Sequence, residues 1–359
     1  MDIALCGLPR SGKSTLWTIL TGIELPPGSR PETRRGVVKV PDPRLNKLSA
    51  MFQPKKRTPA TVTYVDVAPV ERGGGGRAEN PVLGDLRAAD ALLIVLRLWD
   101  DPSDPHPDGS IDAARDLDSL ETEFLLADMD VAQKRLERLE VSIKKTHRDE
   151  EKKERELLAR CLSWLEEEKP LRDASLRDDE LKALRGFAFL TLKPLLVAAN
   201  LPEDRTEDLG AGPAAFGLEG LAERAHFEFV ALSARIEEEI AGLPPEDALA
   251  FREDLGIAEP ALDRLVQASY RLLGLISFFT VGDDECRAWT IRRGTPARQA
   301  AGAIHSDLER GFIRAETVAW DDLLKAGSMA AAREQALLRL EGKEYVVRDG
   351  DVMHVRHSS

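Results

Sequence analysis

The chain has 359 residues, 43% of them hydrophobic and 31% charged, with a formal net charge of -13 at pH 7. This balance excludes a disordered chain and predicts a folded one of two or three domains. The acidic surplus argues against sequence-independent nucleic-acid binding by the whole surface, though it leaves room for a local basic patch.

Cys6, Cys161 and Cys286 form no CxxC or Cys/His cluster, so reduced thiols are expected rather than a disulfide framework or a zinc site. The first residues lack the basic flank and long apolar run of a signal peptide. No stretch reaches the ~20 apolar residues of a membrane span. A soluble, cytoplasmic protein with no membrane partner is the expectation.

In chain order, residues 3–6, 61–65 and 91–98 read as buried strands rich in Val, Ile and Leu, and residues 194–199 and 227–232 follow them much later. Strands separated by helical segments predict a largely parallel α/β sheet covered on both faces. Between the third and fourth strands, Leu125, Met129, Ala132, Leu136, Leu139 and Ile143 alternate four-three spacing, the seam of a coiled coil. The run 148–155 has no apolar residue, and apolar spacing resumes at Leu157, Leu158, Cys161, Leu162 and Leu165. Two antiparallel helices with a charged far end are expected, that end being either a solvated surface or a docking tip.

From residue 276 the texture changes. Residues 277–281, 287–291, 314–318, 345–347 and 352–355 read as short strands, and 296–305 as one helix with Pro296 at its first turn. This predicts a small α+β module. The stretches 73–76 and 102–107 read as flexible loops.

Gly7-Leu8-Pro9-Arg10-Ser11-Gly12-Lys13-Ser14 matches GxxxxGK[ST] without a gap. Glycines let backbone N–H groups turn inward around phosphates, Lys13 brings charge to the β/γ oxygens, and the Ser14 hydroxyl ligates Mg²⁺. A strand precedes the loop, and Thr15 to Leu20 can open the helix whose N-terminus favours anions. The strand 62–66 ends in Asp66, the position of a carboxylate that orients Mg²⁺.

At this point the chain resembles the YchF/Obg-like ATPase family, whose phosphate loop reads GLPxxGKST. Gly36-Val37-Val38 and Pro41-Asp42-Pro43-Arg44-Leu45 are similar to its GVV…PDPRL segment. Phe189-Leu190-Thr191-Leu192-Lys193-Pro194 resembles its FLTLKP sequence. Arg287-Ala288-Trp289-Thr290-Ile291, Ala300-Ala301-Gly302-Ala303-Ile304-His305 and Asp349-Gly350-Asp351-Val352-Met353 resemble its C-terminal TGS module. The resemblance implies a Ras-like P-loop NTPase domain at 1–122 and 192–275, interrupted by a helical coiled-coil hairpin at 123–191. An α+β β-grasp TGS domain follows at 276–359. It also implies ATP or GTP hydrolysis with Mg²⁺ and association with ribosomes, through the TGS domain and the hairpin.

The base-reading NKxD sequence of guanine-specific relatives is absent, and Asn200-Leu201-Pro202-Glu203 stands in its place, similar to the family's NxxE. Losing that Asp geometry weakens guanine discrimination, so the resemblance favours ATP over GTP. Ser233-Ala234 falls at the other base-contacting loop, either as ligands or as a plain helix cap. The nucleotide-binding set is therefore Leu8, Pro9, Arg10, Ser11, Gly12, Lys13, Ser14, Thr15, Asn200, Leu201, Glu203, Ser233 and Ala234.

Three departures from the family pattern bear on turnover. The second switch reads Asp66-Val67-Ala68-Pro69 rather than DxAG, so an amide that could bind the γ-phosphate is replaced by a residue with no N–H. Val70 follows at the place of the catalytic Gln of Ras-like enzymes. Arg10 stands where many relatives have Asn, and either supplies an internal arginine finger beside Lys13 or points into solvent. The first switch is shortened to Arg30-Pro31-Glu32-Thr33-Arg34-Arg35, leaving Thr33 as the candidate third Mg²⁺ ligand after Ser14 and Asp66.

Arg287, Arg292, Arg293, Arg298, Arg310 and Arg314 suggest a basic face for ribosomal RNA, or an ordinary solvated surface. His305 and Trp289 read as structural. Three functions remain open: a slow Mg²⁺-dependent ATPase, a nucleotide-gated ribosome-binding module with weak or lost hydrolysis, and a divergent GTPase.

Overall fold

The computed structural model describes residues 1–25, 32–70 and 81–358. The sequence features at 73–76, Arg30 and Pro31 lie outside them. The strands are β1 (Asp2–Cys6), β2 (Arg34–Lys39), β3 (Lys56–Thr58), β4 (Thr61–Asp66), β5 (Ala91–Arg97), β6 (Leu195–Asn200), β7 (Phe227–Leu232), β8 (Leu275–Thr280), β9 (Glu285–Arg292), β10 (Phe312–Ala319), β11 (Arg339–Glu341) and β12 (Asp351–His357). Helices run α1 (Lys13–Thr21), α2 (Pro43–Phe52), α3 (Pro81–Ala88), α4 (Ala113–Thr146), α5 (Asp149–Glu166), α6 (Asp178–Leu184), α7 (Ala234–Gly242), α8 (Pro245–Asp254) and α9 (Ala261–Leu272). α10 (Ala297–Ile304), α11 (Ser306–Arg310), α12 (Trp320–Ala326) and α13 (Met329–Glu334) complete the chain.

Two compact units form, one from residues 1–36 and 63–272, the other from 37–62 and 273–359. The sheet of the first has the order β2-β4-β1-β5-β6-β7. β1 lies between β4 and β5, parallel to both, and β6 joins β5 and β7 in the same sense. Every residue of β5 and β6 is buried, as their unbroken apolar sequences require when helices cover both faces. Tyr64 is wholly buried and its hydroxyl donates to Ser269 Oγ at 2.7 Å, a buried polar group with its partner supplied.

α4 is 34 residues long, about 51 Å at 1.5 Å per residue. Asp112 caps it by accepting from the Arg115 N–H. Leu125, Ala132 and Leu139 of its seam are buried with Leu157, Leu158, Cys161 and Leu165 of α5. Toward the charged end, Arg135 donates from Nε and Nη2 to the two Glu154 carboxylate oxygens at 2.7 and 2.8 Å. At the base of the hairpin, fully buried Asp128 accepts from Arg87 and from the Leu190 and Thr191 backbone. The 189–194 sequence is thereby fastened to α4 just before β6.

In the second unit the sheet order is β11-β10-β12-β8-β9-β3. Ala297, Ala300 and Ala301 of α10 bury their small side chains with Phe278 of β8 and Ile291 of β9. From segment 37–62, β3 pairs in parallel with β9, and the α2 residue Arg44 lies 5.3 Å from the Phe279 ring centroid. Arg44 also bonds Asp42 and Asp349.

Two expectations for this unit need correction. Residues 345–347 form no strand. Val346 makes one isolated bridge to Pro296, and the edge strand is β11 instead. Its sequence, Arg-Leu-Glu, is too short and polar to show an apolar pattern. Beyond residue 276, four helices rather than one accompany the strands, because α11 and α13 are each a turn or two set by caps at His305 and Ser328.

Candidate functional site

The loop between β1 and α1 turns through Arg10 at φ 64° and Gly12 at φ 86°. At Gly12 the left-handed backbone and the crowding by Asn200 both exclude a side chain, since a Cβ there would strike the Asn200 amide. At Gly7 a Cβ would come within 2.8 Å of the Val95 carbonyl oxygen. The loop is thus held tightly against β5 and β6.

Lys13 opens α1 and is 5% exposed. Its ammonium is hydrogen-bonded to the Asp66 carboxylate and the Val67 carbonyl. Ser14 donates to Asp66 Oδ2 at 3.1 Å. Asp66 ends β4 beside Leu5 of β1 and is 4% exposed. β1 and β4 therefore bring Lys13, Ser14 and Asp66 together from positions 53 apart in sequence. A hydroxyl and a carboxylate are the kind of oxygen donors Mg²⁺ takes, while the helix N-terminus favours the phosphates beside it.

Thr33 is placed differently: its hydroxyl is bonded to Asp85 of α3. Leu8 packs in the apolar core beneath the sheet. Pro9 is half-buried, and Ser11 is buried with no partner for its hydroxyl among the described residues. Arg10 is exposed and bonded to Asp104. Val70 is buried in the core and donates its N–H to the Gly7 carbonyl at 3.1 Å, so its side chain faces away from reacting groups.

Beside the loop lies a cavity of about 660 Å³. Gly12 and Thr15 line it, with Asn200, Leu201, Glu203 and Ala234. Asn200 Nδ2 donates to the Ser11 carbonyl at 3.1 Å, and its Oδ1 accepts from the Ala234 N–H at 3.0 Å. This one side chain ties the phosphate loop to the β7–α7 turn. Ser233 is 1% exposed and caps α7, accepting from the Ile236 N–H at 3.5 Å, the cap arrangement among the two left open for it. Glu203 meets Arg235.

Sequence reasoning missed the segment after β5. Trp99, Asp101 and Pro102 line the cavity. Arg97, 2% exposed, stacks on the Trp99 ring at 3.7 Å and donates to the Trp99 and Asp104 carbonyls at 3.0 and 2.6 Å. Buried His106 accepts at Nδ1 from the Asp108 N–H, so Nε2 carries the proton toward Asp116 Oδ2, 2.9 Å away. Arg115 also bonds Asp116. His106, Asp108 and Asp116 offer ligand atoms within 4.8 Å of one another, but Arg115 already balances their charge. The signal that could have found this segment is an Arg-x-Trp at a strand end followed by a proline-rich turn.

A largely parallel sheet, a phosphate-type loop at the end of its β1, and a Lys, a Ser and an Asp converging there define a P-loop NTPase. Known proteins agree. The ribosome-binding ATPase YchF of Bacillus subtilis is 40% identical over 362 residues, covering 99% of both chains. Obg-like ATPase 1 of Oryza sativa is 33% identical over 359 residues, covering 98% of this chain and 91% of the relative. The structure of the Schizosaccharomyces pombe YchF GTPase superposes with a TM-score of 0.86 at 28% identity, covering 99% of this chain and 97% of that one. Residues 275–358 match the family model YchF-GTPase_C, described as a protein of unknown function (DUF933). The chain belongs to the YchF/Obg-like ATPase family. Among the described residues no helix is long and apolar enough to cross a membrane.

Proposed function

We propose that this chain is a Mg²⁺-dependent purine nucleoside triphosphatase that takes ATP ahead of GTP, hydrolyses it slowly and works in association with the ribosome in the cytoplasm. The observation that carries the reading is the meeting of Lys13, Ser14 and Asp66 beside a cavity lined both by the phosphate-loop residues Gly12 and Thr15 and by Asn200, Leu201, Glu203 and Ala234. Ser14 and Asp66 are the residues that would hold Mg²⁺, and Lys13 exchanges its bond to Asp66 for one to phosphate. An ion held there would supply positive charge to the phosphate chain. No side chain forms a covalent intermediate. The P-loop amides and Lys13 stabilise charge on the transferring group, and Leu8 through Thr15 set that loop's shape. Ribosome association is supported by the names of the relatives, with the TGS-type unit and the hairpin as the contacting parts.

Pro69 favours a second reading, a nucleotide-gated ribosome-binding module with weak or lost hydrolysis. It offers no N–H to a γ-phosphate, and a hydrogen bond to a charged group contributes about 1.5–3 kcal/mol.

Calorimetric titration with Mg²⁺ and non-hydrolysable analogues of ATP and GTP tests the reading, with Lys13→Ala as control. ATP-analogue binding that disappears in the control is expected. Binding of neither analogue sinks the proposal. Steady-state turnover then separates the ATPase from the gated module, and a preference for the guanine analogue would make the chain a divergent GTPase.

A further inference from the structure

β5 is a run of apolar residues that ends on a buried cation, Arg97, 2% exposed. Its guanidinium is hydrogen-bonded to backbone carbonyls alone. Nε donates to Trp99 at 3.0 Å and Nη2 to Asp104 at 2.6 Å, while Nη1 is buried without a partner among the described residues. The group also lies over the Trp99 ring, 3.7 Å from its centroid. Burying a charge with no carboxylate bonded to it costs free energy that an apolar residue there would not, so packing by itself does not account for an arginine at this position.

The two carbonyls that Arg97 holds are the two ends of one turn. Within it the Asp104 N–H donates to the Asp101 carbonyl at 2.9 Å, and the Asp101 carboxylate accepts from the Ser103 N–H at 2.8 Å. A planar fork that holds both ends fixes the turn against β5. The carboxylate of Asp104 is thereby presented to the phosphate loop, where it binds the guanidinium of Arg10.

Resting on the nucleoside-triphosphatase reading, we propose that Arg97 is a positioning residue that keeps Asp104 on Arg10 and so lowers the preference of the site for a triphosphate over a diphosphate. Arg97 touches no reacting group. It acts through the 99–104 turn, and Asp104 acts on Arg10. A cation occupied by Asp104 is withheld from the phosphate chain, and the third phosphate, with its additional charge, loses most by this. The effect belongs to the phosphate end of the cavity and is the same for any base.

The test uses the full chain with Mg²⁺ and reads the ratio of affinities for a non-hydrolysable ATP analogue and for ADP, by displacement of a fluorescent nucleotide. Arg10 and Asp104 have side chains 61% and 28% exposed, so the ratio is expected to rise about two- to fivefold in Asp104→Ala, the scale of an exposed ion pair. Arg97→Lys keeps the positive charge but not the planar fork, and raises the ratio in the same direction. The double variant Arg97→Lys/Asp104→Ala rises no further than Asp104→Ala alone, because both act on one contact. Adding Arg10→Ala abolishes the rise in each. Arg97 is buried, so melting curves check its variants. Pro102→Gly, at an exposed position of the same turn, loosens the turn without touching the core and also raises the ratio; it decides alone where Arg97→Lys melts below the assay temperature. An unchanged ratio in Asp104→Ala or in Pro102→Gly overturns the positioning role while leaving the nucleotide site standing. A ratio that falls in Arg97→Met and is unchanged in Arg97→Lys overturns it too, since Arg97 then serves the phosphates as a charge rather than as a clamp. A protein that binds neither nucleotide overturns the triphosphatase reading, and the role of Arg97 with it.

Discussion

The guanidinium of Arg10, on the phosphate-binding loop, is hydrogen-bonded to the carboxylate of Asp104 on the segment after β5. Asp104 is anchored in turn through its carbonyl to buried Arg97. On the proposed function, a phosphate chain bound at the loop would compete with Asp104 for one cation. Asp104→Ala is expected to tighten triphosphate binding about two- to fivefold, the scale of an exposed ion pair, with a smaller effect on the diphosphate. A fluorescent-nucleotide titration measures both. If Arg10 reaches the transferring phosphate, turnover is indifferent to K⁺ and collapses in Arg10→Ala; unchanged turnover in that variant removes Arg10 from the chemistry.

Asp128 is wholly buried and holds Arg87, two backbone N–H groups and the Thr191 hydroxyl. Asp128→Ala leaves the Arg87 charge with only the Ala188 and Ala127 carbonyls, and leaves both amides without their acceptor. Truncating one partner of a buried ion pair costs about 3–5 kcal/mol. Urea unfolding followed by circular dichroism should show a loss of that size, and a loss below about 1 kcal/mol would mean water replaces the carboxylate.

All three cysteines are buried as free thiols. Burial pushes Cys6 up to about 12, against the opposing pull of Lys13 and Arg172, and pushes Cys161 up to about 11. Burial also raises Cys286. At pH 8, below these values, each remains a protonated thiol, the unreactive form. The folded protein is expected to give no rapid reaction with a colorimetric disulfide reagent, and the denatured protein three equivalents. A fast equivalent in the folded state would show that one thiol opens to solvent.

Arg44 joins α2 to the sheet of its unit through Asp349 and the Phe279 ring. Replacing it with Ala removes ion pairs to Asp42 and Asp349 and a cation–π contact, together about 1 kcal/mol. Backbone amides of residues 43–58 are expected to exchange roughly fivefold faster at that cost, while those of β5 and β6 are unchanged. Equal acceleration in both places would point to global destabilisation instead.

Much of the nucleotide domain was readable because its determinants are contiguous. The seven positions from Gly7 to Lys13 and the apolar runs of β1, β4, β5, β6 and β7 carry their meaning in local order. The α4–α5 seam was equally plain, because its four-three spacing persists over many turns. Contacts made through space were not readable. Asp104, Trp99 and Arg235 meet the phosphate loop and the base-side residues only after the sheet has formed, and none belongs to a motif. Thr33 shows the reverse case, a residue type suited to a metal whose hydroxyl finds Asp85 instead. β11 escaped notice because an edge strand of three residues is specified by its neighbour β10 rather than by its own sequence.

The parallel pairing of β3 with β9 joins Lys56 to Glu285 and Arg57 to Cys286. Synthesis runs from the N-terminus, so β3 leaves the ribosome more than two hundred residues ahead of the strand it pairs with. At typical rates of 5–20 residues per second, that interval is on the order of ten seconds or longer. Throughout it, the stretch between β2 and β4 has no sheet to join, although β4 carries Asp66. A nascent chain arrested before β9 is thus left with the Asp66 strand next to a segment that has not yet docked.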